Sequence, residues 1–168
     1  MKHVALLLLS VGLWAADPVA PGPWSVRLGW SGANSELRTL TNRDGLTAGV
    51  GLILPQRGLV SRMGGDVDWR AGEGEGRYDA VSAVYAERVT IANGVYAGAG
   101  AGVSVLRLVG PGWSVITARP TGKAIIGWMP SWRTPTRQRV AFEGAWFATD
   151  RVHGVRTDGI TLAAVLGF

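Results

Sequence analysis

Ile160-Thr161-Leu162-Ala163-Ala164-Val165-Leu166-Gly167-Phe168 alternates from its first residue to its last. Ile160, Leu162, Ala164, Leu166 and Phe168 share one face; Thr161, Ala163, Val165 and Gly167 share the other. A period of two marks a strand whose two sides meet different surroundings. An apolar strand left unpaired invites aggregation, so this one is expected to be paired along both edges or held in lipid.

Working upstream, the same alternation returns between clusters of Gly, Pro, Asn and Asp. It predicts strands over residues 24–31, 46–54, 59–70, 77–88, 95–106, 122–129 and 137–150, which with the closing segment make eight. Residues 32–45 read as a long polar loop, and residues 107–121, with Pro111-Gly112 and Pro120, as another. Connections after the odd-numbered strands are expected to be longer than those after the even-numbered ones. No window holds a 3.6-residue period for long, so no helix is predicted after the N-terminal segment.

Composition agrees with an all-β chain. Among 168 residues there are 25 Gly, 8 Trp and no Cys, with 47% hydrophobic and 17% charged. That balance argues against disorder. The lack of Cys excludes a disulfide framework and a thiolate metal site. Met1-Lys2-His3, the apolar run Val4 to Trp14 and the small pair Ala15-Ala16 have the form of a cleaved signal peptide, residues 1–16. The run is too short to span a bilayer as a helix. Residues 17–168 then form one domain. The formal charge of +5 is spread along the chain with no basic run, which together with export argues against nucleic acid. Basic loops facing anionic lipopolysaccharide, or a basic interior, account for it.

The two sides of the strands differ in charge. Arg27, Arg62, Asp66, Asp68, Lys123, Arg139 and Glu143 lie opposite the large aromatics. Trp24, Trp30, Trp69 and Trp128 fall near strand ends, where a membrane interface places them. In segment seven, Val140, Phe142, Trp146 and Ala148 are expected on the outer side. The polar side carries Gly98, Gly100 and Gly102, which suit a crowded interior better than a water-facing surface. The expected fold is therefore an eight-stranded antiparallel transmembrane β-barrel with its apolar side in lipid. Its charges are expected to pair in the lumen and fill it, with Glu143 as the hub.

The closing strand, with its terminal aromatic and apolar residues at two-residue steps, resembles the last strand of bacterial outer-membrane β-barrels. The whole pattern resembles the OmpA/OmpX-type family of small barrels. That resemblance implies that Ile160, Leu162, Ala164, Leu166 and Phe168 form the assembly signal, delivered by periplasmic chaperones to the barrel-assembly machinery. It implies an outer-membrane monomer among lipid and lipopolysaccharide, with a structural, adhesion or surface-interaction role carried by extracellular loops. No enzymatic activity and no cofactor are expected.

Other chemistry is weaker. Gly98-Ala99-Gly100-Ala101-Gly102 lacks the spacing of a dinucleotide loop and precedes no helical pattern. His153 has no Ser nearby in sequence, so a hydrolytic triad is not expected. Asp66 and Asp68 could form a carboxylate pair, but Arg62 and Arg70 on the same side favour ion pairing. Glu73 and Glu75 are too few ligands for calcium. Gly22-Pro23-Trp24 faintly resembles the opening of lipocalins, so a secreted soluble barrel binding a small apolar ligand is the alternative.

Overall fold

The computed structural model describes residues 23–54, 61–131, 134–135 and 138–167. Phe168 and the expected signal peptide lie outside them. The strands run β1 (Trp24–Ala33), β2 (Gly45–Ile53), β3 (Ser61–Glu73), β4 (Arg77–Ala92), β5 (Val95–Gly110), β6 (Trp113–Trp128), β7 (Arg139–Thr149) and β8 (Gly159–Gly167). Neighbours in sequence pair antiparallel, and β8 returns to β1 with Ser25 opposite Gly167 and Ala33 opposite Gly159. The sheet is a closed ring. Closure satisfies the strands' N–H and C=O groups within the sheet, the condition a β-structure must meet to sit in lipid.

The period-two pattern sorts the side chains as expected. Ile160, Leu162 and Ala164 are exposed on β8 while Thr161 is buried. Leu46, Val67, Val81, Tyr85, Val103, Val105 and Ile126 are exposed on their strands. Between them, Ser25, Thr47, Ser82, Ser104 and Thr121 point into the ring and are buried. Val140 departs from this: it lies on the outer side of β7, opposite Leu166, but is buried.

Several elements differ from expectation. Residues 107–121 are not a loop. β5 and β6 continue through them as a hairpin joined by the tight turn Pro111-Gly112. Pro120 misled because it lacks an N–H and reads as a strand breaker. Here it faces Val103 of β5, while pairing with β7 begins only at Thr121, so the missing donor breaks no β6–β7 bond. The alternation of long and short connections also fails in part. Residues 74–76 join β3 to β4 closely, and residues 129–138 separate β6 from β7. The alternation reads a turn over residues 91–94; in the structure β4 keeps Ile91 and Ala92, and Asn93-Gly94 alone turns, both having positive φ as a two-residue hairpin loop requires.

A helix, α1 (Ser35–Thr41), interrupts the first polar loop. Asn34 caps it by accepting the Leu37 N–H at 2.8 Å, and Asn42, at φ 54°, closes it. Seven residues cannot hold a helix alone. Leu37 is therefore its anchor, packed with Tyr78, Leu106, Leu108 and Val152 in an apolar cluster over one mouth of the ring. Glu36 ties the same helix to the β7–β8 loop, accepting from Arg151 at 2.9 Å and from the Arg156 N–H at 2.8 Å. Leu37→Ala is expected to cost about 2 kcal/mol and to loosen α1. Hydrogen exchange at residues 37–41 checks this; unchanged protection would show that the Glu36 contacts alone hold the helix.

Candidate functional site: the charged interior

β1 brings Arg27 inward beside β2, whose inward positions Gly49 and Gly51 carry no side chain. A Cβ on Gly49 would lie 2.4 Å from Asp68 Oδ1, and one on Gly51 would lie 2.8 Å from Asp66 Oδ1. The two glycines let Arg27 reach across β2 to the carboxylates of β3. Its Nη1 donates to Asp66 Oδ1 at 2.8 Å, its Nε to Asp68 Oδ1 at 2.9 Å, and its Nη2 to the Val50 carbonyl at 3.0 Å.

From the far wall, Lys123 of β6 donates to Asp66 Oδ2 at 2.8 Å and Asp68 Oδ2 at 2.7 Å. Arg88 of β4 donates to Asp66 Oδ2 at 2.5 Å and, more loosely, to Glu143 Oε2 at 3.4 Å. The Tyr96 hydroxyl donates to the same Glu143 oxygen at 3.2 Å. Asp66 and Asp68 are each 3% exposed. Isolated, such charges would cost several kcal/mol each to bury; together they form a network from four strands plus the Glu143 edge on β7.

The hub is Asp66, not Glu143. Asp66 meets Arg27, Arg88 and Lys123, whereas Glu143 lies 3.9 Å from Lys123 and reaches Arg88 only at 3.4 Å. Glu143 is central along its strand and meets the same Arg88 and Lys123, but at longer range than Asp66 does. Arg62 is exposed at the start of β3 and stands outside the cluster. Arg139 is half-buried at the start of β7. Both are on inward-facing positions at the first residues of their strands.

Arg88 and Phe147 belong to the interior and are missing from the sequence reading; alternation sets Tyr96 on the inner side with Gly98, Gly100 and Gly102, and the structure adds its contact with Glu143. Parity could have found Arg88: with Val81, Ala83 and Tyr85 outward, position 88 falls inward. Phe147 carries no polar signal. It lies beneath two cations, with the Arg70 guanidinium 4.0 Å and the Lys123 ammonium 5.2 Å from its ring centre. Arg70 also donates to Ser82 at 3.1 Å, within a short hydroxyl chain linking Ser82, Ser104 and Thr121.

The remaining candidates fall elsewhere. Gly98 to Gly102 lie inside β5, which leaves no loop to cradle a phosphate. His153 is in the β7–β8 loop, stacked on Trp113 with ring centres 4.7 Å apart, far from the buried hydroxyl chain. Trp24 and Trp128 are exposed on the outer wall at the end bearing the chain termini, Trp128 stacked with Phe142 at 6.2 Å. Trp30 and Trp146 are exposed toward the α1 end, and Trp69 is half-buried there. At the α1 end, charges largely pair locally, as Glu36–Arg151, Arg77–Asp79, Arg38–Asp44 and Arg156–Asp158. The basic excess is thus not a feature of that end's loops.

No family model and no curated protein matches the sequence. Solved structures do match the fold. Neisserial surface protein A (NspA) superposes with a TM-score of 0.59 at 12% identity, over 86% of this chain and 94% of that one. The Yersinia pestis outer membrane protein Ail, determined in a phospholipid bilayer nanodisc, gives 0.56 at 12% identity, over 88% and 99%. The fold is that of the small outer-membrane β-barrels. In this fold the apolar residues outside and the charges inside have one arrangement, inverted from that of a soluble barrel. The lipocalin-like alternative requires an apolar interior, and the space it would use holds Arg27, Asp66, Asp68 and Lys123. At 12% identity the likeness carries the architecture alone.

Proposed function

We propose that this chain is an integral outer-membrane barrel, monomeric, closed through its centre by ion pairs, and acting through the surface it presents at the α1 end. The observation that carries this is the buried Arg27–Asp66–Lys123 network inside a ring whose outer wall is apolar. An eight-stranded ring encloses only enough room for side chains, so a network spanning it leaves no wide aqueous path. Its role is then structural, adhesive or one of surface interaction, and its surroundings are outer-membrane lipid and lipopolysaccharide.

Two measurements test this. Cell fractionation with boiled and unboiled gels should find the protein in the outer membrane, migrating differently when folded. Planar-bilayer recordings should show no large steady conductance. An open, steady channel would overturn the closed interior, and a soluble periplasmic protein without a gel shift would overturn the whole proposal.

Assembly is proposed to follow the closing strand. Ile160, Leu162, Ala164, Leu166 and Phe168 supply the alternating apolar edge that chaperones and the assembly machinery would read. Deletion of Phe168 is expected to leave the chain unassembled, measured as loss of the heat-shiftable band from the outer-membrane fraction. Normal levels of that band in the truncated protein would remove the terminal aromatic from the signal.

A further inference from the structure

Arg70 differs from the other buried cations. Arg27, Arg88 and Lys123 each meet a carboxylate, but Arg70, 1% exposed, meets none within ion-pair distance among the described residues. Its Nη2 bonds Ser82 and its plane lies against Phe147, while its Nε has no hydrogen-bond partner. The Tyr78 hydroxyl, also buried, has none either. Both residues line one small cavity beneath α1, closed by Leu37, Thr41 and Ser31. The cavity has space for about one water-sized particle.

Charge decides what such a space should hold. Among the described residues the buried interior carries Arg27, Arg70, Arg88 and Lys123 against Asp66, Asp68 and Glu143, and Arg70 is the cation in excess. A ring face attracts a buried cation but does not neutralise it. The two donors without partners belong to residues that line one cavity, Arg70 is the buried cation in excess, and each unmade bond in a buried site is unfavourable. We propose that Arg70 and Tyr78 hold a single small inorganic anion, a halide such as chloride, under helix α1. The ion accepts from Arg70 Nε and the Tyr78 hydroxyl and balances the interior. It also ties the α1 lid to β3 and β4, since Leu37 and Thr41 form the cavity's roof. The site is independent of whether the lumen conducts.

The test uses the full-length barrel folded in detergent. The temperature of its gel shift is followed with rising sodium chloride against sodium gluconate at equal ionic strength. A ligand bound only by the folded state raises that temperature with concentration. Chloride, and not gluconate, should raise it by several degrees in the wild type and have no effect in Arg70→Met. Tyr78→Phe, which keeps the ring and loses one donor, should shift the half-effective chloride concentration about fivefold upward, the worth of one hydrogen bond. If Arg70→Met does not fold, Tyr78→Phe and crystals grown in sodium bromide decide instead. An anomalous bromide peak within hydrogen-bonding distance of Arg70 Nε supports the site. A water there with no anomalous signal, or the same chloride response in wild type and Tyr78→Phe, overturns it.

Discussion

Asp66→Ala is expected to destabilise the folded barrel by about 3–5 kcal/mol, the range for removing one partner from a buried ion network. Asp66 is the only carboxylate in the described interior that meets Arg27, Arg88 and Lys123 together. Asp68 still holds Arg27 and Lys123 after the substitution, but Arg88 keeps only its 3.4 Å contact with Glu143. The loss therefore falls mainly on Arg88. Glu143→Ala should cost less, about 1.5–3 kcal/mol, the value of hydrogen bonds to a charged group, because its contacts are longer. Urea unfolding of both variants in detergent gives the comparison. Equal losses, or an Asp66→Ala loss below about 1 kcal/mol, would show that water reaches the network and screens it. A second substitution separates packing from charge: in an Arg88→Met background the Asp66→Ala loss should shrink, since the cation that it strands is gone.

Val67→Arg is the second large effect expected, about 2–4 kcal/mol for a cation at the bilayer midplane. On β4 the outward charges Asp79 and Glu87 bracket the apolar band, and its midpoint, Ala83, lies opposite Val67. Val67 is 46% exposed on the outer wall, so the new side chain enters lipid and not the lumen. Phe142 is also on the outer wall but stacks on Trp128 beside the β6–β7 connection. Phe142→Arg should fall to about 0–1 kcal/mol, as at an interface. Ala141→Ser, one residue away and buried on the inner side, should be mild. Refolding titrations into lipid vesicles rank the three. If Val67→Arg and Phe142→Arg cost the same, the apolar band is not centred where Asp79 and Glu87 place it.

The helix and the long hairpin show where local pattern ran out. α1 carries usable signals in Asn34, Leu37, Leu40 and Asn42, but seven residues give too few turns for a period to stand out against a polar loop. Its stability comes from Leu37 in a cluster whose other members lie on β4, β5 and the β7–β8 loop. The β5–β6 hairpin was hidden by Pro120, whose tolerance depends on where β7 stops pairing. Neither fact is local to the residues concerned.

Alternation along single strands determined the class of this protein and the identity of its two faces. A strand's side-chain period is fixed by its own backbone, so residues 160–167 announce a two-sided strand without reference to any other segment. The same parity placed Arg27, Asp66, Asp68, Lys123 and Glu143 on the inner side, where all five are buried. Which of them touch was settled only by the closed ring. Stagger between strands brings Asp66 to Arg27, Arg88 and Lys123, leaves Glu143 with the longer contacts, and carries Arg62 to the start of β3. Stagger is a relation among eight strands, fixed by closure and by the space that Gly49 and Gly51 leave, and no single strand encodes it.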